Sequence, residues 1–560
     1  MYEDGKLVRA TEADIELSDE IIISKDIVNT IRYYYDSEGN LARKVIAPTG
    51  AIPQTIYYET SEETNTVVKF QLPLAENTAI KPCVTAHSKN DSFGRKEFDE
   101  LQLGKTFLYR KFAYHDGTLS DTHVEKDKVK STPTTQLVSK ISFSDDRTIE
   151  HEYDKEERIT KVIDSVDGTT EYTYDALGQL LTETNGTGVV NTMTYDNYGN
   201  IKSKNGKIYT YDTVWHDLLL SVDGDEIDYD VQGNPTNYLG HTLTWEKGRQ
   251  LKSYDSNIYT YNANGIRTSK TVGGVKHEYT LDGTKILREC WNYDETTKSY
   301  LDILIPLYDN GETVCGISYN YTPYYFIKNL QGDVIALADQ NANVVARYSY
   351  DAWGVPEIKQ DTSGCQIASV NPYRYRSYYY NAEISKYYLQ SRYYDAAVGR
   401  FLNADDVLMT IAYTFDNRFV NLFTYSENNF IVNYDPNGAF SISVTAATIV
   451  LNLIILAIIL AVSYFAGAKV AYKISRFSKW LRGKFDAAIN KLAYWIADSI
   501  DTLFYNLLKH YNSIGKIRLA ITAKYIANFI SSLITLTPGA IIANLLDRFD
   551  DDGYNGRITY

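Results

Sequence analysis

Cysteine is nearly absent from this sequence of 560 residues: Cys83, Cys290, Cys315 and Cys365 stand far apart and form no CxxC pair. That spacing excludes a zinc knuckle and a dense disulfide framework, leaves buried thiols as the expectation and suggests no cofactor. The opening residues, MYEDGKLVRATEAD, lack a basic start followed by an apolar core, so no secretory leader is read there. They begin in mid-pattern, as though a repeat were already under way. The end of the chain is poorer still, since residues 439–560 hold no glutamate, no cysteine and one histidine, His510. Acid–base pairs, thiol nucleophiles and multi-histidine metal sites lack raw material in that segment.

What is abundant is tyrosine, with 50 copies, few of them after residue 438. Charge divides at the same place. Residues 439–560 carry 13 Lys and Arg against 7 Asp, a balance of +6, and the remainder of the chain stands at −21. An acidic body argues against nucleic-acid binding, so no nucleic-acid partner is expected; a basic, apolar tail suits anionic lipid or an acidic partner surface.

A search for self-similarity finds Tyr-Asp followed three residues later by Gly. Clear copies are Tyr35-Asp36 with Gly39, Tyr174-Asp175 with Gly178, Tyr195-Asp196 with Gly199, Tyr229-Asp230 with Gly233, and Tyr350-Asp351 with Gly354. Counting degenerate copies at Tyr211, Trp245 and Tyr261, the steps from Tyr174 run 21, 16, 18, 16 and 16. A segment such as YTYDALGQLLTET reads as strand, turn, strand: Tyr172 and Tyr174 share a face, Asp175 bonds the turn backbone and Gly178 supplies a positive φ. Such a hairpin cannot bury its own aromatic face and must lie beside the next. These residues resemble the YD repeats of rearrangement-hotspot (Rhs) proteins, of the C components of insecticidal toxin complexes and of teneurins. The resemblance implies a mainly β fold, a tyrosine-rich antiparallel shell, complete or partial, that encloses the C-terminal segment. Residues 44–140 are its weakest part, with blurred repeats and two proline-containing stretches.

The most specific stretches are YYLQSRYYDAAVGRFLNADD, Tyr387 to Asp406, and NLFTYSENNFIVNYDPNG, Asn421 to Gly438. Together they resemble the Rhs-associated core domain, which implies a plug of the shell able to act as an aspartyl self-protease cutting just after the Asp-Pro-x-Gly element. Carried over, the carboxylates are Asp405 and Asp435, with Arg400 as electrostatic partner and the cut near Ala439 or Phe440. Two carboxylates a few ångström apart cannot both ionise easily, so one keeps a proton while the other activates water. The sequence departs from the pattern in having Asp406-Val407 after Asp405, and 30 residues between the two aspartates. Turn formation and salt-bridged closure of the shell remain an equal reading of both. Asp395 reads as structural.

Past Gly438 the texture changes to an uncharged run, Ala439 to Ala468, followed by six Lys and Arg between Lys469 and Lys484. The run is long enough to cross a bilayer as a helix, with the basic flank on the cytoplasmic side. An amphipathic stripe from Ile489 to Leu507 and a second apolar stretch, Tyr525 to Leu546, follow. The resulting expectation is three parts: a YD-repeat shell over 1–370, the core over 371–438, and a helical, membrane-like effector over 439–560. The corresponding function is a secreted or cell-surface Rhs-type toxin whose shell carries a membrane-active segment. Its expected partners are a target membrane, a small immunity protein, and delivery machinery or a longer N-terminal repeat region. The alternative is an adhesion protein in which the apolar segment is an anchor. In an intact form, Ile449 to Val462 is expected against the inner face of the sheet, because thirty uncharged residues in water invite aggregation.

Overall fold

The computed structural model describes most of residues 2–443, leaving out short stretches and the longer 60–65, 72–83, 117–133 and 406–420, everything after 443, and most side chains before residue 85. The chain divides into two units, Met1–Thr445 and Ala446–Tyr560. Every described residue belongs to the first. The spanning helix, the amphipathic stripe and the enclosed apolar run expected beyond Gly438 therefore lie outside the described residues. Among the described residues, no helix is long and apolar enough to cross a membrane.

From Arg9–Ser18 to Pro356–Asp361, 31 strands form one antiparallel ladder in which each strand pairs with its sequence neighbours. Local chemistry explains the regularity. In each turn the aspartate accepts from two backbone amides: Asp196 Oδ1 takes Tyr198 N–H at 2.8 Å and Asn200 N–H at 2.9 Å, and its Oδ2 takes the Asn200 side-chain amide at 3.0 Å. Asp175, Asp230 and Asp339 repeat the arrangement. The glycine three residues on sits at positive φ, as at Gly199 (75°) and Gly233 (78°), where a side chain would strain the backbone. A register shift falls at the tyrosine of several units, between Thr173 and Tyr174, Thr194 and Tyr195, and Thr260 and Tyr261. Such bulges bend the strand and re-aim a side chain. The re-aimed tyrosine reaches back to a neighbouring hairpin: Tyr174 donates to Ile159 O and Tyr195 to Leu180 O, both at 2.6 Å, and Trp245 replaces tyrosine with its indole N–H on Pro235 O at 2.6 Å.

The expected turns at Gly178, Gly199, Gly233 and Gly265 are all present. The stretch that looked irregular, 44–140, continues the same ladder through Gln54–Glu59, Thr66–Gln71, Val84–Asn90, Lys96–Leu103 and Thr106–Asp116. Asp91 even builds the same turn, accepting from Phe93 and Arg95 N–H at 2.9 and 3.0 Å without a tyrosine before it. One expectation fails: Cys290 and Cys315 are buried, but Cys365 is exposed on the loop that follows the last strand of the ladder, 3.3 Å from the Tyr324 hydroxyl.

After the ladder the chain turns inward. Tyr379–Asn381, Lys386–Tyr388, Tyr393–Asp395 and Arg400–Phe401 form a four-stranded sheet whose tyrosines Tyr387 and Tyr394 are fully buried. One hydrophobic cluster joins these to the inward residues of the ladder, including Leu180, Ile201, Leu251 and Trp353. Hydroxyls satisfy carbonyls across that contact: Tyr394 on Trp353 O at 2.8 Å, Tyr387 on Gly354 O at 2.7 Å, Tyr375 on Ala352 O at 3.1 Å. A buried polar group left unpaired costs about 1–3 kcal/mol, so these bonds make a tyrosine-rich core tolerable.

Candidate functional site

Beside the inner sheet four acceptors meet one guanidinium. Arg392, on the turn before Tyr393–Asp395, is buried under the Phe401 ring, with its guanidinium carbon 3.6 Å from the ring centroid. Its Nη2 lies 3.0 Å from Asp405 and 3.4 Å from Asp435. Its Nη1 donates to Leu422 O at 3.0 Å and its Nε to the Gly438 carbonyl. Burial pulls the guanidinium below its ordinary value, and the two carboxylates oppose that pull.

Asp435 is held on both sides. Its Oδ1 accepts Gly438 N–H at 2.8 Å. The Tyr378 hydroxyl brackets its backbone, donating to Asp435 O at 2.6 Å and accepting from Asp435 N–H at 3.1 Å. Burial, and then the Asp435 charge, push the Tyr378 hydroxyl well above its ordinary value, so it stays neutral. Asp405 is anchored by its N–H on Leu422 O at 2.9 Å and is the more open of the two carboxylates, 19% exposed against 1%.

The structure thus brings Asp405 and Asp435 together and removes Arg400 from their company. Arg400 points at the ladder, donating to Asn200 Oδ1 at 3.1 Å, Tyr211 Oη at 2.8 Å and Asp217 O at 2.6 Å. It fastens the inner sheet to the ladder; Arg392 is the partner of the carboxylates. Sequence reasoning missed Arg392 and Tyr378, although Arg392 opens the Arg-Tyr-Tyr-Asp motif. Asp395 is buried and fully engaged, with Lys386 at 2.8 Å, Tyr238 at 3.0 Å and the N–H groups of Ala397 and Val398. Burial works to raise its carboxyl, but Lys386, the Val398 N–H and the Tyr238 hydroxyl together outweigh it and hold the group below the usual range. Among the described residues no cluster of His, Cys, Asp and Glu is arranged to hold a metal ion.

Residues 69–431 match the family model described as the teneurin YD-shell. A stretch of 229 residues is 32% identical to the tRNA3(Ser)-specific nuclease WapA of Bacillus spizizenii, covering 39% of this chain and 9% of that protein. Over the same length it is 33% identical to the tRNA(Glu)-specific nuclease WapA of Bacillus subtilis subsp. natto, with the same coverage. The chain therefore spans only 9% of the length of these curated relatives. The crystal structure of TcdB2-TccC3-Cdc42 superposes with a TM-score of 0.59 at 17% identity, over 78% of this chain and 23% of that one, which shows a shared fold. The relatives' names overturn the expectation of a membrane target with nucleic acid excluded, because those proteins are nucleases of tRNA. Acidity of the repeat body was no guide to what a protein of this kind acts on.

Proposed function

The chain belongs to the teneurin YD-shell family, and from that premise we propose that it is an Rhs-type toxin protein, secreted or displayed at a cell surface. In this reading 1–370 is the shell, 371–438 its plug, and 439–560 a segment that the plug releases by cutting the chain close to residue 438. The observation that carries it is the convergence of Asp405, Asp435 and the Gly438 carbonyl on Arg392, where the plug ends and the charge of the chain changes sign. Purified full-length protein should run as two fragments parted near residue 440, and Asp435→Asn should stay whole. An uncut wild type limits the plug to closing the shell.

For the released segment, an RNA target is the reading to test. Its support is the +6 balance of residues 439–560 together with the names of the relatives; a basic surface attracts a polyanion without regard to sequence. Incubating the cut protein with total tRNA should retard or degrade it in a salt-dependent way. Unaltered tRNA at low salt would remove this reading.

A further inference from the structure

Strands of the ladder far apart in sequence meet around a cavity of about 140 Å³. Thr148–Tyr153, Ile159–Asp164 and Gly168–Tyr174 supply part of its lining, Val334–Ala338 and Val344–Tyr350 another part, and Tyr375 and Arg376 complete it. A cavity of about 150 Å³ admits benzene, so a molecule of about five heavy atoms fits. Four carboxylates, Asp164, Asp167, Asp333 and Asp351, line it against two guanidiniums, Arg147 and Arg376. Two negative charges are therefore left over, and walls of low dielectric focus such a surplus. Charged groups behind the lining come in equal numbers of each sign: Glu183 and Lys204, Asp361 and Arg374, Asp145 and Arg347.

Both guanidiniums are already engaged. Arg147 donates from Nε to Asp164 at 3.0 Å and from Nη2 to Asp164 and Asp167. Arg376 donates from Nη1 to Gln331 O at 3.0 Å and from Nη2 to Phe430 O, while its Nε, 3.8 Å from Asp333, is sealed from solvent. Asp333 keeps lone pairs, with Arg376 N–H at 2.8 Å on Oδ1 and the Asn329 amide at 2.7 Å on Oδ2. Tyr172, Tyr348, Tyr350 and Tyr375 line the same space. Three of their hydroxyls are tied to carbonyls, Tyr350 on Val334 O at 2.7 Å, Tyr348 on Ala368 O at 2.9 Å and Tyr375 on Ala352 O at 3.1 Å, so these residues offer their rings. The Tyr350 and Tyr375 rings, with centroids 6.1 Å apart, are tilted by 50°, as two walls of a box are. His151 is 2% exposed, and its Nδ1 bonds to no group among the described residues. Burial, and then His115, push that imidazole down to about 4, so it adds no positive charge.

We propose that this cavity binds a small organic cation of the alkylammonium class, its charge balanced by the surplus carboxylates and its alkyl groups held by the tyrosine rings. Ring faces attract a cation within about 6 Å, and an anion would meet carboxylates whose arginine partners are already taken. Asp167, with its side chain 40% exposed, is the most open of the pair that Arg147 holds. A bound cation joins strands distant in sequence, so it stabilises the ladder as a whole. The site is independent of the self-cleaving reading above.

The test titrates the full-length chain with tetramethylammonium chloride, reading heat and melting temperature. Its controls are tert-butanol, which has nearly the same shape without the charge, and sodium acetate and sodium chloride at equal ionic strength. Tetramethylammonium should bind saturably and raise the melting temperature. Tert-butanol should bind about tenfold more weakly or not at all, and the sodium salts should give no saturable heat. Tyr172→Leu removes one ring and should weaken the cation about tenfold. Asp167→Asn, at a largely solvated side chain, should keep the wild-type melt and weaken the cation severalfold. Absence of saturable binding, acetate or tert-butanol binding as tightly as the cation, or both variants binding it as the wild type does overturns the proposal. Should Tyr172→Leu fail to fold, Asp167→Asn and the ligand series on the wild type still decide.

Discussion

An aspartate that accepts three hydrogen bonds from its own turn is a covalent substitute for part of the backbone, and removing it leaves two amides searching for water. Asp196→Ala should therefore lower stability by about 1–3 kcal/mol, measured by urea unfolding. Backbone preference gives the converse case. Ala342 occupies the glycine position of its turn at φ 64°, and Ala342→Gly should stabilise by about 1 kcal/mol by relieving a left-handed residue. A third residue couples the wall to pH. Glu183 accepts Ala352 N–H at 3.0 Å and Asn191 Nδ2 at 2.6 Å, yet burial pushes its carboxyl up to about 7, those bonds opposing and Asp351 adding. The folded chain then holds a proton between about pH 4.5 and 7 that the unfolded chain has released, so this group favours folding more as pH falls through that window. The melting temperature of wild type should rise relative to Glu183→Gln between pH 7 and 4.5; a constant difference would show that Glu183 does not titrate there. The repeat aspartates and Asp395 were legible in sequence because their partners are neighbours or share their motif. Arg392 was not: its carboxylates lie 13 and 43 positions on, and no local pattern says which arginine of the motif meets them.

At the scale of the hairpin, the repeat is a strand pair plus one long-range hydroxyl bond. Tyr195→Phe deletes only the bond to Leu180 O, so it should cost about 1 kcal/mol and speed amide exchange in Leu180–Asn185 and Gly188–Tyr195 more than in distant strands. Equal exchange throughout the ladder would show that the pin is idle. Periodicity exposed the hairpins wherever tyrosine and glycine both survived. It failed within 44–140 where the unit sheds its tyrosine and keeps its turn, as at Asp91, which Asn90 precedes; just past that stretch Tyr153-Asp154 keeps its tyrosine but builds the turn with Glu157 at φ 61° in place of glycine. The physical requirement is an acceptor and a left-handed residue. Tyrosine is the visible marker of that requirement and not its cause.

Across the whole molecule, plug and wall meet through contacts too close for substitution. A Cβ on Gly399 would stand 2.7 Å from the Trp353 ring, and Trp353 is fully buried. Gly399→Ala should destabilise by about 1–3 kcal/mol through overpacking and expose 371–438 to limited proteolysis before the ladder is cut; a wall that opens first would place the weakness elsewhere. The mainly β architecture could be read from the repeats, since it is written in short-range residue order. What the protein acts on could not, because net charge of the body reports its solubility and not the chemistry of another segment.

Every strand of the ladder pairs with the one made just before it, and its tyrosine pin reaches back only 15 positions at Tyr174 and Tyr195. The wall can therefore be laid in the order of synthesis, without waiting for distant partners. The plug obeys the opposite rule: Arg400 seeks a residue 200 positions earlier and Asn428 one 249 earlier. The guanidinium meets Asp435 and Gly438 only once those last residues have been made. The molecule thus carries a checkpoint in its own sequence order. The Arg392–Asp435 contact can form only after the ladder and the inner sheet have both been made.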